Sequence, residues 1–418
     1  MEMKKYKLGE IAEIEISGVD KKTKEGEIPV KLCNFVDVYH NWAITKDLYD
    51  EFMDASARQS EIDIYKLKKG QVAFTKDSET RDDIGIPTYI ADNFDDVILG
   101  YHTALVTPNR EFLNGKYLNA FMNSRYIQKY FEFNASGSGQ RYTLSNDTLN
   151  NIPILAPDLN TQSKIGELFS SLDKKIALNS RINARLEQMA KRLYEHYFVQ
   201  FDFPTADGKP YKTSGGKMVY SSELKREIPE GWEVKRLGDI LENNIEVTDA
   251  GEHLKGLKYC PIDEIPMKTM SFANGKPYTE ANSSLQLYKR KDILIGAMRV
   301  YFHRCCIASE PGITRTTTIV LSPKNKNFLS YVYQVCNEDK TFDYAIKVSN
   351  GTQQPYVTWK SLKEYQFVYP KDEKIIEDFC KNTNSIIDRI LENVQESARL
   401  TSLRDRLLPL LMNGQVSV

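Results

Sequence analysis

The chain repeats itself, and the repeat limits what it can fold into more than any other feature. YKLGEIAEI at 6–14 returns as VKRLGDILE at 234–242, which sets Leu8, Gly9 and Ile11 on Leu237, Gly238 and Ile240 at a shift of 229. VKLCNFVDV at 30–38 returns as LKYCPIDEI at 257–265 at a shift of 227, with Cys33 on Cys260. LKKGQVAF pairs with YKRKDILI at 221, HTALVTP with TTTIVLSP at 215 so that Thr103 meets Thr318 and Pro108 meets Pro323, and SGSGQRYT with SNGTQQPYVT at 213. Single matches between apolar strands arise by chance, but a fixed order with a slowly falling shift points to a duplicated module of roughly 150 residues with small deletions in its second copy.

Within each copy, short β-branched and aromatic runs such as KGQVAF, TALVTP, DILIGA and TTIVLSP are bounded by Gly, Pro, Asn and Asp and predict strands. LNGKYLNAFMNSRYIQKYF at 113–131 has helical spacing. Each module is therefore mixed α and β, with loops long enough to carry recognition.

A Pro-bearing strand closes each module, NIPILAPD or QFVYPKD, and a long helical stretch follows. From Thr161 to about Phe198, Ile165, Leu168, Leu172, Asn179, Ile182, Leu186, Met189 and Leu193 recur at spacings of three and four, a heptad seam on a rod of roughly 55 Å. A helix that long needs a partner. Lys371 to about Leu408 supplies one, with Ile387, Leu391, Val394 and Ala398 at similar spacing. Asn179 falls where an apolar residue is expected, so it either fixes the register of the pair or sits solvated at the seam's edge. Packed antiparallel, the helices would put the modules at opposite ends of the rod about an approximate twofold. The expected order is a first module at 1–158, a spacer helix at 159–200, a Gly/Pro/Ser/Lys-rich linker at 201–229, a second module at 230–370 and a second spacer helix at 371–418.

At 418 residues the chain is long enough for two or three domains, and its 41% hydrophobic, 27% charged composition is that of a folded globular protein. A formal charge of −1 does not favour wrapping phosphates unaided, so a nucleic-acid reading needs local basic groups or a partner's help. The six cysteines show no CxxC spacing, the start MEMKKYKLGEIAEI is charged where a signal peptide is apolar, and no apolar run reaches the roughly 20 residues of a membrane span. The cytoplasm, with no membrane contact, is the expectation.

Catalytic constellations do not stand out. A Gly-rich methyltransferase loop and an Asn/Asp-Pro-Pro-aromatic string are missing, and GGK at 215–217 is followed by Met218 where a phosphate loop needs Ser or Thr. YPKDEK at 369–374 and PDLNTQSK at 157–164 resemble ordinary solvated surface as much as a nuclease site, and histidines 40, 102, 196, 253 and 303 lack ligand spacing.

Two similar modules on a rigid spacer suit B-DNA, which offers the same groove face about every 34 Å, and a two-part site with an unread spacer would follow. The arrangement and several strings resemble the specificity subunits of type I restriction-modification systems across essentially the whole chain. The strings are FDFP followed by IPEGWEVKRLGDI, then DILIGAMR, the SGSGQ and NGTQQ turns, and the closing LTSLRDRLLPLLMNGQVSV. The resemblance implies two α+β target recognition domains separated by two long antiparallel helices forming a coiled coil, a pseudo-twofold internal repeat. It also implies double-stranded DNA, two adenine methyltransferase subunits using S-adenosylmethionine, and restriction/translocase subunits using ATP and Mg, with no cofactor, metal or catalysis in this chain. The first module departs from the pattern. It has AFTKDSETRDDIG where the second has LIGAMRVYFHR, and lacks a counterpart of Trp232 at its entrance.

Base reading calls for Arg, Lys, Asn, Gln, Ser, Thr and aromatic side chains on protruding loops. Lys76, Arg81, Tyr101, His102, Gln140, Arg141 and Tyr142 are the candidates in the first module. Arg299, Tyr301, His303, Arg304, Arg315, Thr316, Gln353 and Gln354 are those in the second. An ion-pairing or core-covering role is the plain alternative for each, and the turns at Gly139-Gln140 and Thr352-Gln353 read equally as structural corners. The C-terminal LRDRLLPLLMNG segment is more apolar than one pairing face needs and is the expected docking face for partner subunits. Two other classes stay open, an enzyme carrying its own recognition domains and a coiled-coil scaffold whose modules bind proteins.

Overall fold

In the computed structural model, which describes residues 3–138, 141–351 and 353–416, both copies of the repeat build the same sheet. In the first, five strands lie in the order Ala12–Ile16, Thr103–Pro108, Val72–Thr75, Pro87–Ile90, Ala43–Ile44. In the second the order is Leu241–Asn243, Thr318–Pro323, Ile293–Gly296, Cys305–Ala308, Ser271–Phe272. Each sheet is antiparallel except for its last edge strand, which joins parallel. Val72–Thr75 and Ile293–Gly296 are buried at every position, because central strands covered on both faces must be apolar throughout and not alternate. The entrance strand of each copy pairs antiparallel with its exit strand, Lys4–Lys7 with Pro153–Ala156 and Trp232–Arg236 with Gln366–Pro370.

The helical stretch predicted at 113–131 is two helices, Gly115–Met122 and Arg125–Asn134. Ser124 breaks it. Its backbone is extended, at φ −70° and ψ 146°, and its hydroxyl accepts from the amide of Ile127, a capping role that serine fills better than a helix interior. The second copy breaks at the same place, between Leu329–Asn337 and Asp339–Lys347.

Leu159–Tyr194 and Lys374–Met412 are the two long helices, and a π-helical turn at Glu195–Val199 ends the first. The chain divides into two compact units, residues 1–176 with 400–418 and residues 177–399, so each long helix contributes to both. Within the second unit the helices run antiparallel, since Asn179 meets Glu396 and Ser397 while the Tyr194 ring meets Phe379 edge-on. Within the first, Ile165 and Phe169 share a core with Leu408, Leu411 and Met412.

Two positions of the predicted seam lie one residue from where the heptad placed them. Ile165, Asn179, Ile387 and Leu391 are buried, and Leu172, Leu186, Leu193 and Val394 pack at the core's margin. Asn183 and Ala190 are buried in place of Ile182 and Met189, Met189 being 59% exposed, while Leu168 packs at the core's margin beside buried Phe169. Bulk apolarity misled at the first two: a small alanine lets helices approach closely, and the asparagine is matched by another.

Asn179 is fully buried, which settles its ambiguity in favour of the seam. Its side-chain amide donates to Glu396 Oε2 at 2.8 Å and Ser397 Oγ at 3.3 Å. One turn along, Asn393 Nδ2 donates to Asn183 Oδ1 at 2.8 Å, both residues being buried. Asn393→Leu is expected to cost roughly 1–3 kcal/mol in urea unfolding, because Asn183 loses its donor, whereas Asn183→Leu/Asn393→Leu together should recover most of that loss. Equal loss in the single and double variants would show that the amide pair contributes nothing specific.

Two further expectations change. The 201–229 segment is no loose linker: Phe201, Phe203 and Ile228 are buried in the second unit's core, Phe203 lies 5.3 Å from the Trp232 ring, and Met218–Ser221 forms a hairpin with Arg226–Pro229. Its Gly/Pro/Ser content marks turns, while its aromatics supply the anchors. The surplus apolarity of the C-terminal segment is likewise consumed internally, since Leu408, Leu411 and Met412 fill the first unit's core.

Candidate nucleic-acid interface

In the first module the sheet's central strand Val72–Thr75 runs on into Asp77–Ser78, which pairs with Arg141–Thr143, and that strand pairs in turn with Ser136–Ser138. Gly137 adopts φ 138°, and a Cβ there would collide with the Arg141 carbonyl, so this corner demands glycine. The small sheet gathers the candidates of the first module that lie within the described residues; Gln140 falls outside them.

Asp77 is the hub. His102 Nδ1 lies 2.5 Å from its Oδ2 and Lys76 Nζ 3.2 Å from its Oδ1, with Lys76 also donating to Thr143 Oγ1 at 2.8 Å. Burial raises the carboxyl's affinity for a proton, but hydrogen bonds from Thr143 and His102 and the Lys76 charge more than offset this, so Asp77 is held below the ordinary carboxylate range. Arg141 Nη2 stands 2.5 Å from Nδ1 and 2.8 Å from Nε2 of the same ring, so imidazole and guanidinium are in direct contact beside the carboxylate. Arg141 itself is largely exposed, its side chain at 58%. His102 holds a left-handed backbone conformation, φ 69°, secured by the Lys76 amide donating to the His102 carbonyl at 2.8 Å. Tyr101 is exposed beside it, and Arg81 lies over the Tyr142 ring at 4.9 Å.

A cleft of ≈ 580 Å³ opens along this group, lined by Asp77, His102 and Arg141 together with Phe35, Tyr39, Glu79 and Asp83. Tyr39 donates to Asp83 at 2.8 Å, and its ring stacks on Phe35. Phe35, Tyr39 and Asp83 escaped sequence reading because they come from a helix, Phe35–His40, and a loop far from the basic candidates; FVDVY carried only an apolar signal.

The second module forms its corner at the equivalent place. Met298 bridges Tyr356 just as Asp77 pairs with Thr143, and the shifts are those of the repeat: 298 − 77 = 221 and 356 − 143 = 213. The chemistry differs. Arg299, in a left-handed conformation with its amide donating to the Pro355 carbonyl at 2.7 Å, stands near exposed Tyr301 and Tyr356. Gln353, Gln354 and Thr316 are exposed, Thr352 lying outside the described residues. His303 and Arg304 are otherwise engaged. His303 is 8% exposed, stacks on Phe342 and reaches Asn337 Oδ1 at 3.0 Å, while the Arg304 guanidinium donates to the carbonyls of Asp263 and Ile265. Arg315 is partly buried, with Nη2 3.4 Å from Ser283 Oγ and Nε buried without a partner.

All six cysteines are buried and free. No group of three or more His, Cys, Asp or Glu side chains placed to hold a metal occurs among the described residues, and none of their helices is long and apolar enough to cross a membrane.

Compared with known proteins, residues 1–188 and 229–400 both match the type I restriction modification DNA specificity domain. The chain belongs to the type I restriction-modification specificity family. The two matched stretches are the two copies of the repeat, each with part of a long helix. Among curated relatives of this specificity chain, the type I restriction enzyme HindI specificity subunit of Haemophilus influenzae is 25% identical over 413 residues, covering 84% of this chain and 87% of that one. The MjaIX specificity subunit of Methanocaldococcus jannaschii is 25% identical over 336 residues, covering 75% and 73%. The crystal structure of the type I restriction-modification S subunit from M. genitalium superposes with a TM-score of 0.60 at 14% identity, covering 98% of this chain and 96% of that one, a likeness of fold.

Proposed function

We propose that the chain selects DNA for a type I restriction-modification complex, with each module reading one half of a bipartite site and the paired helices setting the spacing and docking methyltransferase subunits. The observation that carries this reading is the pair of corners at equivalent repeat positions, 77/143 and 298/356, built on one backbone plan but furnished with different side chains. Equal scaffolds hold two readers at matched positions, and unequal side chains give them unlike half-sites. The readers are Arg81, Tyr101 and Arg141, which are exposed, with part-buried Lys76 and Tyr142 and with His102 behind them, and Arg299, Tyr301, Thr316, Gln353 and Gln354, also exposed, with part-buried Arg315.

The complex works in the cytoplasm with two methyltransferase subunits, which bring S-adenosylmethionine, and with restriction subunits, which bring ATP and Mg; this chain contributes no catalysis. A net charge of −1 then poses no obstacle, because partner subunits supply most phosphate contacts.

Single-molecule methylation mapping tests the reading. DNA from cells expressing the chain with its neighbouring methyltransferase should carry methyladenine in a two-part motif that cells with the methyltransferase alone lack. Exchanging residues 230–370 for the same module of a relative should change one half of the motif and leave the other intact. Identical maps with and without the chain would overturn the assignment.

A further inference from the structure

We propose that Arg141 reads a guanine in the half-site of the first module, and that His102 and Asp77 are positioning residues that aim it; the proposal rests on the DNA-reading function above. An exposed arginine on a loop is ordinarily a floppy cation, and ordering it for recognition is entropically unfavourable. Here the order is built in. Asp77 Oδ2 holds the His102 ring through Nδ1 at 2.5 Å, and Arg141 Nη2 lies against the same ring, 2.5 Å from Nδ1 and 2.8 Å from Nε2, with the Asp77 carboxylate itself 3.6 Å from the guanidinium. Only Nη2 is engaged among the described residues; both two-donor edges of a guanidinium include that nitrogen, so its second N–H completes the fork, with Nη1 or Nε beside it, on a side chain 58% exposed. Two parallel N–H donors match the O6 and N7 acceptors of guanine in the major groove, and no other base presents two acceptors there.

Charge bears on the same role. Lys76 pairs with Asp77 at 3.2 Å, so Asp77 is shared between two cations and does not neutralise Arg141 alone, while Glu79 and Asp83 line the same cleft. Backbone geometry adds an independent sign. His102 is a non-glycine residue at φ 69°, a conformation that persists only where its surroundings enforce it, and here it places the ring between carboxylate and guanidinium.

The test is methylation mapping of the chain co-expressed with its methyltransferase, as wild type and as Arg141→Ala, Arg141→Lys, His102→Asn and Asp77→Asn. The wild-type motif should contain a G·C pair in the half-site assigned to the first module by module exchange. Arg141→Ala should reduce preference for that pair on the order of 10-fold to 100-fold, with the other half-site unchanged. Arg141→Lys keeps the charge but not the fork and should relax the same position. His102→Asn tolerates the left-handed backbone while withdrawing the ring, so it and Asp77→Asn should relax that position too, by a smaller factor. A motif unchanged in Arg141→Ala, or methylation lowered uniformly at every site with the motif intact, would overturn the proposal in favour of a phosphate contact or a structural role. A wild-type map with no motif dependent on this chain would remove the DNA-reading function itself, a distinguishable failure.

Discussion

Phe379→Ala is expected to destabilise the second unit by roughly 3–5 kcal/mol, the cost of deleting a fully buried aromatic ring and leaving a cavity. Phe379 is 0% exposed on the second long helix. Its ring meets Phe198 edge-on at 5.3 Å and lies 5.9 Å from Tyr197 and 6.1 Å from Tyr194, so it joins the second helix to the end of the first. Phe198 in turn lies 6.0 Å from Trp232 and 4.7 Å from Tyr331, which links this knot to the module's entrance strand and to its helix Leu329–Asn337. Such a site cannot collapse easily, because the rings that meet Phe379 are themselves held by other elements. Trp232 sits in the same core and gives the readout: its fluorescence transition in urea should move to lower denaturant in the variant. A shift worth under about 1 kcal/mol would mean that the helix pairing does not depend on this ring.

Glu187→Gln is expected to stabilise the protein at pH 8 and to do almost nothing at pH 4. Glu187 lies on the first long helix, where its Oε1 accepts from the Met270 amide at 3.2 Å. Burial lifts its carboxyl from the ordinary 4.5 to about 7, against the smaller opposing pull of that hydrogen bond. Between those values the folded chain holds a proton that the unfolded chain has released. The stability contributed by this carboxyl is therefore complete below about pH 4.5 and is lost as pH rises through 7. Glutamine imitates the protonated form at every pH and keeps an oxygen for Met270. The difference between variant and wild type should therefore grow from near zero to at most roughly 3 kcal/mol across that window. Urea titrations at pH 4, 6 and 8 would measure it, and a difference independent of pH would show that the Glu187 proton is not coupled to folding.

Much of the architecture was legible in the residues because it rests on local pattern and on repetition. The strands KGQVAF, TALVTP, DILIGA and TTIVLSP are where β-branched runs bounded by turn formers put them. The repeat shifts 221 and 213, read from sequence, return as the registers Asp77 to Thr143 and Met298 to Tyr356. The long helices were legible for the same reason, since a period near 3.5 sustained over many turns fits a long helix with an apolar seam and little else.

The candidate site was only half legible. Basic and aromatic residues on turns announce exposure and charge, and Lys76, His102 and Arg141 were found that way. Nothing local told which would be spent inside: His303 and Arg304 have the same composition signal as His102 and Arg141, yet one stacks in the core on Phe342 and the other serves the carbonyls of Asp263 and Ile265. Their partners lie tens of residues away, at distances that periodicity does not encode.

By itself, then, the sequence determined the duplicated modules, their strands and the two helical rods, all of which follow from short-range periodicity and from one segment resembling another. Tertiary structure alone decided which residues complete the seam, burying Asn183 and Ala190 where the heptad had put Ile182 and Met189. It also decided that the 201–229 segment and the C-terminal leucines belong to cores. The physical reason is common to these cases. Burial is set by what another part of the chain brings to a residue, and a buried asparagine or alanine is stable only because its partner, such as Asn393, arrives across the helix pair.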